Sequence, residues 1–145
     1  MRKTLYTAQA HVVGGRDGHG TTTDGNLDVQ LRLPKELGGA GGGTNPEELF
    51  AVGYAACFES AMGVVARRQQ VQTGDVAIDS SVSLHPTSEG GFELSVTLDV
   101  SIPGVSDPEV SAAIVRAANA VCPYSNATRG NIEVTLLVEG TPIDA

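Results

Sequence analysis

Residues 45–68, NPEELFAVGYAACFESAMGVVARR, decide how the rest of the chain must fold. Asn45 suits a helix N-cap, Pro46 the first helical position, and Glu47 and Glu48 the positive end of the helix dipole. Arg67 and Arg68 complement the other end. The pattern predicts one helix across the stretch. Between Leu49 and Ala66 the one ionisable carboxylate is Glu59, and a helix apolar nearly all round is expected in an interior. Cys57, one of two cysteines, sits in its middle.

Ahead of this helix, Leu5–Val13 has ragged strand character, and GGRDGHG at 14–20 supplies the glycines that a reversal needs. Thr21–Thr23 can pair back as a short strand before the Asp24-Gly25 turn. Leu27, Val29, Leu31 and Leu33 alternate with polar residues, which predicts a strand that Pro34 ends. The glycines at 38–43 form a loop, either a mobile flank of a pocket or a mere connector. A phosphate-binding reading of that loop fails: the closing Lys and Ser/Thr are missing, and Glu47 and Glu48 would repel an anion.

After the helix, Gln69–Asp75 is a polar link and Val76–His85 reads as a strand. Residues 86–91 turn the chain, and Phe92–Ile102 alternates so regularly that a long hairpin is predicted. Asp107-Pro108 starts a second helix, whose apolar spacing runs to about Val121, where Pro123 blocks continuation. Ile132, Val134, Leu136 and Val138 predict a last strand. Three strands, helix, two strands, helix, strand is an α+β order, with the apolar helix packed on antiparallel sheet. The 145 residues are expected to form a single domain, 1–145.

A net charge of −8 argues against nucleic acid or an anionic membrane surface as partner. The basic start Met1-Arg2-Lys3 lacks the apolar run of a signal peptide. Glu59, Ser60 and the small residues make the long helix a poor lipid-facing span. The chain is therefore expected to be soluble and cytoplasmic. Two cysteines there leave two readings, inert buried thiols or a redox pair. His11, His19 and His85 lie in different elements with no ligand spacing, so no metal is expected.

A thiol acts as a nucleophile only when ionised, and burial disfavours the charged form. A reactive Cys57 therefore needs a cation nearby, and its own helix interior offers none. The turn carrying Arg16 is the best source, since its glycines allow a charged side chain to be directed inward.

GGRDGHG, then GTNPEELFAVGYAACF, then VCPYSNATRGNI, in order and at the expected spacing across essentially the whole chain, resembles the organic hydroperoxide resistance (Ohr) proteins of the OsmC/Ohr superfamily. NPE ahead of ACF and CPYSNA around the second thiol are similar to the Ohr branch more than the OsmC branch. The resemblance implies an intertwined homodimer and a thiol peroxidase working without metal, haem or flavin. Cys57 would be the peroxidatic residue and Cys122 would resolve its sulfenic acid as an intramolecular disulfide. Arg16 would stabilise the thiolate and orient the peroxide, held by Glu47. The implied partners are organic hydroperoxides, fatty-acid ones included, a second copy of the chain, and a dithiol reductant on a lipoylated protein. Phe50, Tyr54 and Tyr124 either line an acyl pocket or are ordinary core. Asp17, beside Arg16, is a potential competitor for it and receives no role.

Spacing adds an independent constraint. Cys57 lies ten residues beyond Glu47 on the same predicted helix. At ~1.5 Å per residue they are roughly 15 Å apart, beyond a glutamate's reach. If Glu47, Arg16 and Cys57 form one site, either the helix breaks or Glu47 comes from another subunit. Two rival readings of the whole chain remain: a broader OsmC-type peroxidase that also takes hydrogen peroxide, and a non-enzymatic redox-sensing binding protein.

Overall fold

The structure, a computed structural model, describes residues 2–145. The chain forms two compact units, one ending at Leu49 and the other spanning Phe50–Ala145.

In the first unit, β1 (Ala10–Val13), β2 (His19–Thr22) and β3 (Asp28–Gln30) make an antiparallel sheet in that order. The ladder is shorter than the alternation predicted. It begins at Ala10 rather than Leu5, and Leu5 and Tyr6 stand 88% and 78% exposed. At the other end, Leu31 leaves the ladder to bridge Thr44, and Arg32 donates its amide to the Thr44 carbonyl. Between β1 and β2 the chain reverses through a single 3-10 turn, Gly15–Asp17. Gly14 has φ +79°, and a side-chain carbon on Gly18 would fall 1.7 Å from the Val13 carbonyl oxygen. Both glycines are thus required by the neck of this turn.

Helix α1 (Pro46–Gln69) starts at the end of this unit, capped as its sequence demands. The Asn45 side chain accepts the Glu48 amide at 2.9 Å, and the Thr44 hydroxyl donates to the Glu48 carboxylate at 2.8 Å.

The second unit is a four-stranded sheet in the order β4 (Ala77–Pro86), β5 (Phe92–Ser101), β6 (Glu133–Val138), β7 (Thr141–Ile143). The predicted hairpin is present, β4 pairing with β5 from Ala77↔Ser101 to Pro86↔Phe92. The β5–β6 pair is parallel, because α2 (Pro108–Val121) and α3 (Pro123–Thr128) cross between those strands. Neither α3 nor β7 is foreseen in the pattern of the sequence. The same Pro123 that stops α2 serves as the first residue of α3, because Cys122 is extended (φ −62°, ψ 124°) and turns a corner between the two helices. Strand β7 is an edge strand, where its Pro142 is tolerated.

Tyr54, Phe58, Met62 and Val65 of α1 pack on Val96, Leu98, Val100 and Leu136 of the sheet and on Ile114, Val115 and Ala118 of α2. α1 is long and apolar enough to cross a bilayer, but this face lies in the protein core. The expectation of burial all round needs correction. Val52 is 70% exposed, and Ala56, Glu59 and Ser60 are exposed as well. This side of α1, which mixes Val52 and Ala56 with Glu59 and Ser60, is left open.

Candidate active site

Cys57 projects from the middle of α1 and Cys122 from the corner between α2 and α3. Sixty-five residues apart in sequence, their sulfurs lie 3.7 Å apart, both as free thiols. Cys57 is half-buried and Cys122 fully buried. The Cys122 sulfur caps α3, accepting the Ser125 amide at 3.5 Å. Burial pushes the Cys57 thiol up from its ordinary pKa; the Tyr124 backbone amide draws it down, and the Cys122 sulfur pushes it further up. The net direction is upward, so a thiolate at Cys57 requires positive charge beyond what these neighbours supply.

The three aromatic candidates cluster around this corner. Phe50 meets Tyr54 and Tyr124 edge-on at 6.1 and 5.8 Å between ring centres, and the two tyrosine rings are 5.6 Å apart. Their surroundings differ. Tyr54 is wholly buried, its hydroxyl 3.0 Å from the Ser125 Oγ and 3.2 Å from the Thr128 Oγ1. Phe50 and Tyr124, with Leu94, Pro123, Ala127 and Ile132, line a mainly apolar cavity of about 460 Å³. Gly53 permits this arrangement, since a side-chain carbon there would meet the Tyr124 hydroxyl at 2.6 Å.

In the first unit, Arg16 grips Glu47 with both ends of its guanidinium, at 2.8 Å and 2.6 Å. This hydrogen bonding raises the Arg16 pKa and lowers that of Glu47, so both stay charged. The turn beneath Arg16 is pinned on its far side. The Asp17 carboxylate accepts the Leu33 amide at 3.1 Å, and Arg32 donates to the Gly18 carbonyl at 3.1 Å. Asp17 therefore braces the turn and does not compete for Arg16. His19 pairs with Asp28 and His85 with Ser95. Among the described residues, no three His, Cys, Asp or Glu side chains gather as metal ligands would.

The fold has counterparts among known proteins. The family model described as OsmC-like protein matches residues 39–137. An organic hydroperoxide resistance protein of Xanthomonas axonopodis pv. citri is 53% identical over 92% of this chain and 94% of its own. The chain belongs to the organic hydroperoxide resistance branch of the OsmC-like family. Organic hydroperoxide resistance protein OhrB of Bacillus subtilis is 46% identical over 91% of this chain and 96% of its own. The crystal structure of an organic hydroperoxide resistance protein from Legionella pneumophila, 54% identical, superposes with a TM-score of 0.90 over 94% of this chain and 98% of that one.

In this OsmC-like chain, the structure brings Cys57 and Cys122 together as free thiols 3.7 Å apart, and Arg16 together with Glu47. Ser125 and Thr128 escaped notice. Their hydroxyls gain partners only because α3 folds back on α1, which no local pattern announces.

Proposed function

We propose that this protein is a thiol-dependent peroxidase that reduces organic hydroperoxides, fatty-acid hydroperoxides included, to alcohols in the cytoplasm. The observation that carries the reading is the 3.7 Å separation of a half-buried and a fully buried thiol, set beside an apolar cavity. The Cys57 thiolate attacks the terminal hydroperoxide oxygen. The O–O bond breaks, the alkoxide takes up a proton and leaves as alcohol, and Cys57 becomes a sulfenic acid. Cys122 sulfur then attacks Cys57 sulfur. The S–S bond forms, the S–O bond breaks, and hydroxide leaves with the Cys122 proton as water. A dithiol, carried on a lipoylated protein, returns the disulfide to two thiols and is itself oxidised to a disulfide. Phe50 and Tyr124, with Tyr54 behind them, favour the organic portion of the substrate.

The positive charge that Cys57 needs comes from Arg16, oriented by Glu47, on a second copy of the chain. Two observations support this. α1 runs unbroken from Pro46 to Gln69, which removes the broken-helix alternative and keeps Glu47 roughly 15 Å from Cys57 along the axis. Exposed apolar residues, Val52 on α1 and Leu5 and Tyr6 near the start, are the kind of surface a homodimer covers.

The test is single-turnover oxidation of reduced protein by one equivalent of cumene hydroperoxide, a fatty-acid hydroperoxide or hydrogen peroxide. The reading expects rapid consumption of the organic substrates, one disulfide per chain, and much slower reaction with hydrogen peroxide. Equal rates would favour the broader peroxidase. Slow oxidation by all three, with steady-state consumption surviving Cys57→Ser, would favour the redox-sensing reading.

A further inference from the structure

A second set of buried groups, whose hydroxyls the proposed chemistry does not use, stands directly behind the thiols. Tyr54, Ser125 and Thr128 are all buried, and their three hydroxyls are joined: Tyr54 Oη lies 3.0 Å from Ser125 Oγ and 3.2 Å from Thr128 Oγ1. Thr128 also donates to the Ser125 carbonyl at 3.3 Å. Hydroxyls inside an apolar core cost free energy unless paired, and phenylalanine, alanine and valine would fill the same space without that demand. What the polar set adds is orientation, since a hydrogen bond fixes direction as well as distance.

The direction fixed is that of α3 on α1. Ser125 binds Tyr54 through its hydroxyl and the Cys122 sulfur through its amide. Cys122 lies against Cys57. Cys57 sits one helical turn beyond Tyr54 on α1, so the contacts close a ring: Tyr54, Ser125, Cys122, Cys57 and back along the helix. Apart from the helix itself, every link in that ring is a polar contact, and the one linking α1 to α3 away from the sulfurs is the tyrosine hydroxyl. We infer that Tyr54, with Ser125 and Thr128, is a positioning residue that holds Cys122 within striking distance of Cys57 and so sets the rate of disulfide closure. α3 has six residues, too few to hold its place by its own helical hydrogen bonds. Without the tyrosine hydroxyl, its first turn and the capping sulfur gain freedom.

The role rests on the peroxidase reading only for its biological meaning, and two measurements keep the two apart. In rapid-quench oxidation by cumene hydroperoxide, Tyr54→Phe keeps the ring and loses the hydroxyl. The second step, disulfide closure measured as loss of the dimedone-reactive sulfenic acid, should slow relative to the first by about tenfold, the upper range for one lost hydrogen bond. Independently of any peroxide, equilibrium with dithiothreitol redox buffers reports the effective concentration of one thiol at the other. It should fall by about tenfold, equivalent to ~30 mV in the two-electron potential. The double variant Ser125→Ala/Thr128→Val removes the partners and leaves Tyr54, and it should reproduce both changes. A wild-type protein inert to hydroperoxides would remove the peroxidase reading and leave the redox-buffer comparison to decide the brace. An unchanged thiol–disulfide equilibrium in Tyr54→Phe, or a loss shared equally by both oxidation steps as a substrate-contact role for Tyr54 requires, overturns the inference. So does a double variant that behaves as wild type.

Discussion

Breaking the Arg16–Glu47 pair is the perturbation whose size follows most directly from geometry. The two bonds, at 2.8 and 2.6 Å, are short, parallel and charge-assisted. Bonds of this kind to charged groups are worth about 1.5–3 kcal/mol when well shielded. Shielding here is partial: the Glu47 side chain is 16% exposed but that of Arg16 is 37%, so solvent screens the pair toward the value of a surface bridge. A coupling of about 1 kcal/mol remains, equivalent to a shift in midpoint temperature of about 2–4 °C in a domain of this size. It is read from denaturant unfolding of wild type, Arg16→Met, Glu47→Gln and the double variant, at one protein concentration because the stability of the proposed dimer would depend on it. The pH dependence has a definite sign. Arg16 holds the Glu47 pKa below its ordinary value, so the stabilisation is full above that ordinary value and disappears as pH falls through the depressed one. The raised pKa of Arg16 lies outside the working range and adds no titration there. Coupling below ~0.3 kcal/mol at neutral pH, or coupling that persists in acid beyond the carboxylate range, refutes the reasoning.

Five further outcomes are expected. Cys57→Ser should abolish hydroperoxide consumption. Cys122→Ser should still spend one equivalent of peroxide and then accumulate sulfenic and sulfinic acid, seen as mass increments on the peptide that carries Cys57. Heterodimers of an inactive Cys57→Ser chain and an inactive Glu47→Ala chain should regain one good site per pair; failure to regain any activity counts against sharing between chains. Val52→Asp, on the exposed face of α1, should turn the proposed dimer into monomer in sedimentation while far-UV circular dichroism stays the same. Gly18→Ala must push a methyl into the Val13 carbonyl, so it should cost about 2 kcal/mol or more and lower the midpoint by roughly 4–8 °C.

Much of the fold was legible because its signals are local. Asn45, Pro46 and the two glutamates mark the start of α1 through interactions within one helical turn, and the cap forms as read. The alternation from Phe92 onward specifies β5 and its hairpin for the same reason, since period and turn chemistry act between near neighbours. The candidate residues were legible differently, as a constellation. Cys57, Cys122, Arg16 and Glu47 carry no local mark of chemistry, and only the three motifs taken together, in order and at their spacing, single them out.

What lay beyond the sequence depends on which surfaces meet. Pro123 reads as a stop, and it becomes a start only because the Cys122 corner redirects the chain into α3. The composition of α1 is apolar on nearly every side, so no hydrophobic period could tell which side the sheet would cover and which would be left open. Likewise Tyr54 could be pocket or core until Ser125 and Thr128, more than seventy residues away, arrived to bind its hydroxyl. By itself the sequence determined the elements, their caps and the set of chemically capable residues, because those follow from backbone geometry and neighbours within a turn. Tertiary structure alone decided the 3.7 Å between the sulfurs, the open side of α1 and the buried hydroxyls behind the thiols, because each is a relation between segments that only packing brings together.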